Sequence, residues 1–402
     1  MHTQPVTGNT ENTRPENRAF YPALDGLRAI AFLMVFAQHY LTMPWGWTGV
    51  NIFFVLSGFL ITGILVDTRD SPHRARIFYL RRTLRIFPLY YGLFLVALLL
   101  TPLLHWQWSK GWLAWPLYLG NYLRFLTPRV MDSGTLLHLA VDGHLHSRIW
   151  PHNEFNIGHF WSLCVEEQFY LVWPWVVFWT RSRRALLYLC GGTVIIVPLL
   201  RLAAQAHAPA WMLQQELLYR ATPFQLDSLL LGGLIALLWR DGSLATRDAH
   251  RHRLTQAARW VALAAGLAAA AYIALTLNLR DPLWRLHYSY PAWHFTWGLS
   301  FVNIFAAALI LCCLHTDNSL SRLLALRPLR WIGRISYGAY VFHDVFRVSF
   351  TLIVQRISNH SSFVAAHAPA AIAVIGLPAT LLIAYVSFRF FETPFLQLKE
   401  RL

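Results

Sequence analysis

The stretch LDGLRAIAFLMVFAQHY, residues 24–40, sets Asp25, Arg28 and His39 into a run otherwise apolar enough to lie in a lipid bilayer. A spanning helix needs about 20 mostly apolar residues. Besides this one, nine such segments begin near positions 47, 86, 159, 185, 223, 259, 293, 335 and 369. The whole chain has 402 residues, 56% of them hydrophobic and 13% charged, which is too apolar for a soluble protein of that length. The sequence therefore implies an all-α polytopic membrane protein, with about ten transmembrane helices around a central cavity.

The formal net charge of +15 does not imply nucleic acid, because the arginines gather in short loops between apolar segments, where topology alone demands them. Arg69, Arg74, Arg76, Arg81, Arg82 and Arg85 lie between the second and third spans. Further clusters are Arg181, Arg183 and Arg184; Arg240, Arg247, Arg251, Arg253 and Arg259; and Arg322, Arg327, Arg330 and Arg334. All of these fall on one side, with both termini cytoplasmic, only if the short segment GWLAWPLYLGNYLRFL from Gly111 does not cross. That segment is expected to be interfacial or re-entrant on the outer side.

Residues 1–20 form a polar leader without the apolar run of a signal peptide and read as a disordered cytoplasmic tail. A membrane domain at 21–397 and a cytoplasmic end at 398–402 complete the expected organisation. Cys164, Cys190, Cys312 and Cys313 sit in apolar segments without metal-ligand spacing. His138, His144, His146, His152 and His159 scatter through an outer loop at about 104–158, and no spacing among them argues for zinc. No metal is expected, and this loop is the candidate outward-facing lid or acceptor platform.

Ionisable groups inside a bilayer cost a few kcal/mol and tend to mark a site. Arg28 and His39 are eleven residues apart, which returns to nearly the same helix face about 16 Å along the axis. Arg28 either reaches the inner interface beside Asp25 or looks, with His39, into one cavity. In FYLRRTLRIFPLYY (78–91), Arg82 and Arg85 share a face with Arg81 beside them, and guanidinium forks of this kind suit phosphate. In HFWSLCVEEQFYLVWPWVV (159–177), Glu166 and Glu167 fall about 12 Å deep, a depth comparable to that of His39. One of them can orient or deprotonate a histidine. WIGRISYGAYVFHD (331–344) brings His343 and Asp344 and reads as mainly structural; Asn51, Ser57 and Gly58 read as helix-packing residues.

A phosphate-binding inner mouth with a basic side chain near the outer half fits a donor whose charged head stays in the cytosol while its reactive end reaches into the bilayer. Acyl-coenzyme A has that shape: a phosphorylated head, a thin pantetheine arm and a thioester. The roles that follow are His39 as general base, Glu166 or Glu167 as its orienting carboxylate, and Arg28, Arg82 and Arg85 as donor-binding groups.

YPALDGLRAIAFLMVFAQHY, GVNIFFVLSGFLITGIL, FYLRRTLRIFPLYY and FWSLCVEEQFYLVWP resemble, in order and spacing, the acyltransferase-3 family of bacterial membrane O-acyltransferases. WIGRISYGAYVFH and FRFFETPF are similar to its carboxy-terminal signatures, so the resemblance covers about residues 20–396. It maps the family's Arg and His to Arg28 and His39, its paired Arg to Arg82 and Arg85, and its buried acid to Glu166. It implies a bacterial inner-membrane acyltransferase that moves an acetyl or other short acyl group from cytoplasmic acyl-CoA to a carbohydrate hydroxyl. The acceptors it implies are cell-envelope or exported glycans such as O-antigen, exopolysaccharide or lipid-linked sugar, with separate envelope glycan-assembly proteins as partners. Many relatives place an Arg before the Asp of TPFQLDSLLLGGLIA, where this chain has Gln225 ahead of Asp227. Some carry a fused hydrolase-like domain after the last span; this chain stops at Leu402, so a second periplasmic catalyst would be a separate protein. The alternatives are an acyltransferase for a glycosylated secondary metabolite, a transporter using His39, Glu166 and Glu167 as a proton relay, and a structural helper in glycan export. The transporter reading is weakened because the two halves of the chain show no evident pairing.

Overall fold

The computed structural model describes residues 21–43, 45–126, 144–146, 154–214, 216–241, 244–276, 292–315 and 318–400. The expected tail at 1–20, together with His138 and His152, lies outside the described residues. Helices run over Pro22–Leu41 (α1), Thr48–Asp67 (α2), Arg74–Leu104 (α3), Trp161–Trp179 (α4), Arg183–His207 (α5), Leu226–Trp239 (α6) and Leu244–Thr276 (α7). They continue over Trp297–Leu314 (α8), Arg327–Arg334 (α9), Ser336–Val345 (α10), Arg347–Ser358 (α11), Ala368–Val386 (α12) and Thr393–Glu400 (α13).

By length and hydropathy, six of the described helices are able to cross a membrane: Thr48–Asp67, Arg74–Leu104, Arg183–His207, Thr222–Trp239, Trp297–Leu314 and Ala368–Leu398. The sequence suggested ten, and three of the helices at the other four positions fall short for visible reasons. Asp25 and Arg28 lower the hydropathy of α1, and Glu166, Glu167 and Gln168 do the same in α4. Helix α7 is polar around Arg247–Arg253 and apolar from Val261 onward, as a span beginning near position 259 requires, and the ninth expected span breaks at Phe346 into α10 and α11. The segment from Gly111 forms no continuous helix. It is split into 3₁₀ turns at Lys110–Ala114 and Gly120–Tyr122 followed by Leu123–Leu126. The all-α expectation also missed a small sheet, in which β1 (His144–His146) pairs antiparallel with β2 (Glu154–Asn156), His144 opposite Asn156.

Helices α2 and α6 touch backbone to backbone. A Cβ on Gly58 would lie 1.7 Å from the Leu229 carbonyl oxygen, and one on Gly232 would lie 1.9 Å from that of Val55. Small residues permit this approach, which gives dispersion contacts that lipid-immersed helices cannot obtain from hydrophobicity. Beside this contact lies a buried polar node. Arg201 of α5 is fully buried and donates to both carboxylate oxygens of Asp227, at 3.0 and 2.6 Å, and to the Phe224 carbonyl and Ser300 hydroxyl. Asn303 donates to Asp227, and Asn51 donates to Asn303 and Gln225. The guanidinium facing Asp227 thus comes from another helix, while Gln225 donates to the Tyr219 carbonyl. On the outside of the bundle, Leu95, Leu98, Leu99 and Leu103 of α3 are exposed, as a lipid-facing stripe requires.

Helix α1 positions the first functional side chains. Pro22 opens it at a position where a missing N–H costs nothing, and Thr42, at φ 55°, ends it, with the Met43 N–H on the Ala37 carbonyl. His39 therefore occupies the last turn and Arg28 the second, on one buried helix.

Candidate active site

Three cavities follow one another through the bundle. The first, of about 250 Å³, is lined by Thr68, Ser71, Arg74, Arg81, Arg82 and Arg85 with Ile61, Ile64, Ile77 and Phe78. It shares Ile61, Arg82 and Arg85 with a narrower second cavity of about 110 Å³, where Arg28, Ser57, Glu166, Glu167, Tyr170 and Tyr337 project among apolar side chains. The second shares Val50 and Tyr340 with a third, of about 430 Å³, lined by Gln38, His39, Thr42, Arg124, Asn156, His159, Glu216, Arg220, Asp344 and Arg347 along with several aromatic rings.

In the third cavity Asp344 is the hub. His39 Nδ1 lies 3.3 Å from Asp344 Oδ1, to which Arg347 Nε also donates at 2.6 Å. Asn156 Nδ2 donates to Oδ2 at 2.8 Å, and His159 Nδ1 stands 3.7 Å from the same oxygen. Four elements thus converge on one buried carboxylate: α1, the β2 end, the turn before α4, and the α10–α11 break. The break itself is functional geometry, because it lets Asp344 close α10 while Arg347 opens α11 three residues later.

Of the three imidazoles here, only His39 is open to the cavity, with 26% of its side chain exposed against 2% for His159. His343 is fully buried, its Nδ1 2.6 Å from the Tyr340 carbonyl, and its ring is 4.9 Å from that of His39. With Nδ1 turned to a carboxylate, His39 carries its proton there and presents Nε2 as a base. At 3.3 Å the contact is at the long end for a hydrogen bond, which is common where substrate tightens the geometry. At the cavity's far side Glu216, outside the spans, pairs with Arg220 at 2.6 Å. Its burial would raise the carboxyl, but Arg220 and Arg124 outweigh that and hold it below the ordinary range.

The second cavity has a different character. Arg82 lies over the Tyr170 ring at 3.8 Å, and the Tyr170 hydroxyl contacts Ser57. Glu166 feels Arg82 and Arg28 as its neighbouring cations. None of the ion pairs within 4 Å among the described residues involves Arg28, Arg82 or Arg85.

The sequence-derived residues divide between the two cavities. Arg28 and His39 line consecutive cavities with Tyr340 and Val50 between them, instead of one common cavity. The pairing of Glu166 or Glu167 with His39 is corrected: both acids line the guanidinium-rich cavity, and the carboxylate at His39 is Asp344. Equal depth, which the helix rise supplies, does not fix the direction in which a side chain leaves its helix. Ser57, read as a packing residue, lines the second cavity. The sequence reading did not assign Asn156, Tyr340 or Arg347; the only signal for Asp344 was its place beside His343 in an apolar segment.

A bundle of apolar helices encloses a histidine–carboxylate pair and, one cavity away, a cluster of arginines, as in a polytopic membrane protein. The family model described as an acyltransferase domain matches residues 21–389, and the chain belongs to that family, acyltransferase-3. It is 28% identical over 412 residues to peptidoglycan O-acetyltransferase OatA of Listeria monocytogenes, covering 96% of this chain and 57% of that protein. It is 29% identical over 400 residues to the putative peptidoglycan O-acetyltransferase YrhL of Bacillus subtilis, covering 95% and 56%. Against O-acetyltransferase OatA of Staphylococcus aureus the identity is 26% over 392 residues, covering 93% and 57%. The chain thus spans somewhat more than half the length of these relatives. No solved structure matches it.

Proposed function

We propose that this membrane acyltransferase takes an acetyl or other short acyl group from cytoplasmic acyl-CoA and passes it to a hydroxyl of a cell-envelope carbohydrate. The observation that carries this reading is the sequence of three adjoining cavities, arginine-rich at one end and holding the His39–Asp344 pair at the other. By the positive-inside rule the mouth at Arg74 and Arg81 faces the cytoplasm of a bacterial inner membrane. Arg81, Arg82 and Arg85 hold the phosphorylated head of the donor, since guanidinium groups bind phosphate oxygens bidentately. Arg28 lies on the path of the arm, and Glu166 and Glu167 balance the charge there when the donor is absent.

The outer cavity suits the acceptor, because polar side chains can pair with sugar hydroxyls and aromatic rings can cover sugar faces. His39 Nε2 takes the hydroxyl proton as the oxygen attacks the thioester carbon, and Asp344 holds the imidazole in orientation and stabilises the cation formed. Collapse of the tetrahedral intermediate breaks the C–S bond, and the imidazolium returns its proton to the departing thiolate. The names of the relatives make peptidoglycan the first acceptor to test, ahead of O-antigen or exopolysaccharide.

Purified protein in nanodiscs, given radiolabelled acetyl-CoA and soluble peptidoglycan fragments, is expected to release CoA and label the fragments. The His39→Ala variant is expected to do neither. Equal transfer by that variant, or no donor turnover by the native chain with any envelope glycan, would overturn the reading. A transporter would move substrate without cleaving the thioester. Mass spectrometry of envelope glycans from cells with and without the chain identifies the acceptor.

A further inference from the structure

The proposed reaction needs a hydrogen-bond donor for the oxygen of the thioester carbonyl, which gains negative charge as the tetrahedral intermediate forms. That donor must stand where the inner cavities meet the outer one. Among the described residues, only Val50 and Tyr340 line both the second and third cavities, and of these only Tyr340 has a side-chain group able to donate. Its ring and that of His39 flank the His343 ring, at 5.4 and 4.9 Å.

The hydrogen bonding around Tyr340 leaves its proton replaceable. The His159 carbonyl lies within reach of both the Tyr340 hydroxyl, at 3.0 Å, and the Ser162 hydroxyl, at 3.2 Å. The two hydroxyl oxygens are 2.5 Å apart. One buried carbonyl thus has two hydroxyls within reach, and because each carries a single proton and the pair also bond each other, only one of them donates to it at a time. If Tyr340 turns away, Ser162 keeps that carbonyl satisfied, so the usual penalty for abandoning a buried acceptor is avoided.

We infer that the Tyr340 hydroxyl turns from the His159 carbonyl to the thioester oxygen during transfer, and holds the oxyanion while His39 handles the proton. The inference rests on the acyl-transfer reading above. The electron pair of the C=O bond moves to oxygen as the acceptor oxygen bonds to carbon, and it returns as the C–S bond breaks. Tyr340 keeps its proton throughout.

The test compares Tyr340→Phe with native protein in nanodiscs, using acetyl-CoA as donor. Removing one such donor lowers turnover by roughly 10²–10³-fold elsewhere, and a loss of this size is expected in kcat with the donor KM unchanged. Slow hydrolysis of acetyl-CoA without acceptor is expected to fall by the same factor, because water attacks the same carbonyl. A residue that only shaped the acceptor cavity would spare hydrolysis, and one that only held the donor would raise KM. Ser162→Ala removes the hydroxyl that shares the His159 carbonyl with Tyr340, so turnover is expected to fall by roughly two- to tenfold. Tyr340→Phe protein that binds acetyl-CoA and melts like the native chain, yet keeps more than about a tenth of its turnover against that expectation, overturns the inference. If His39→Ala also remains active, the acyl-transfer reading itself has failed; if His39→Ala is dead, only the role of Tyr340 has.

Discussion

Asp344 and Glu166 are both buried acids inside the bundle, yet their surroundings are opposites. Asp344 gathers Arg347, Asn156, His39 and His159 within 3.7 Å. Glu166 faces Arg28 and Arg82, and neither closes to an ion pair. A carboxylate surrounded by donors is fixed in place and can fix an imidazole in turn. Arginines without close carboxylates keep their donors for an anion that arrives later. The Arg201–Asp227 node shows the third case, in which a buried guanidinium meets a bidentate carboxylate between packed helices.

The largest expected effects are at the His39–Asp344 pair. If Asp344 orients His39, Asp344→Asn leaves the packing intact but removes the charge that sets the tautomer, and the rate is expected to fall by about 10³–10⁴-fold. His39→Ala removes the base and is expected to cost a factor of about 10²–10⁴. Initial rates of CoA release with acceptor present measure both. An Asp344→Asn protein that works within about threefold of native, far from the loss expected of an orienting carboxylate, would erase the contrast between the two acids.

The node at Arg201 tests the structural end of the comparison. Arg201→Met strands Asp227 without its cation, and breaking a buried pair from one side costs about 3–5 kcal/mol. Thermal melting in detergent is expected to drop accordingly, and restoring neutrality with Asp227→Asn in the same chain is expected to recover part of it. The donor KM of whatever protein remains folded should not change.

Much of this contrast is visible in the sequence, and the missing part has one cause. The Arg28–His39 spacing, the arginines of FYLRRTLRIFPLYY and the acids of α4 stood out because charges inside apolar runs are costly. Their partners did not, because a partner is set by the azimuth at which each helix meets its neighbours, and no single-helix periodicity carries that. Asp344 comes from the far end of the chain through α10, Asn156 comes from a strand pair in the outer loop, and Tyr340 looks like any apolar-segment tyrosine until both cavities are in view.

In the arginine-rich cavities, Arg82→Ala and Arg85→Ala are each expected to raise the donor KM by roughly ten- to a hundredfold, the range for losing a charged hydrogen bond to phosphate. Lysine at either position should restore only part of this, since a point charge cannot reproduce the planar fork. Free CoA and an adenosine diphosphate bearing the same phosphates should compete with the donor in native protein and lose that ability in the variants. An unchanged KM would remove the reason for calling this region a phosphate site.

The smallest effect is expected at Glu166 and Glu167, and it discriminates most finely between the two acids of the comparison. If either acid oriented His39, its amide variant would match Asp344→Asn in rate loss. The cavity they line holds Arg28, Arg82 and Arg85 instead, so Glu166→Gln and Glu167→Gln each remove a negative charge from a cationic site. That favours an anionic donor but removes the counter-charge that offsets the mutual repulsion of the arginines when the site is empty. The two consequences oppose each other, and charges in a partly hydrated cavity are strongly screened, so a change of only a few-fold is expected. It should appear in the donor KM and not in the rate at saturating donor. A large loss of kcat in Glu167→Gln with an unchanged KM would move the orienting role back to α4, and Asp344 would then be a structural clamp like Asp227.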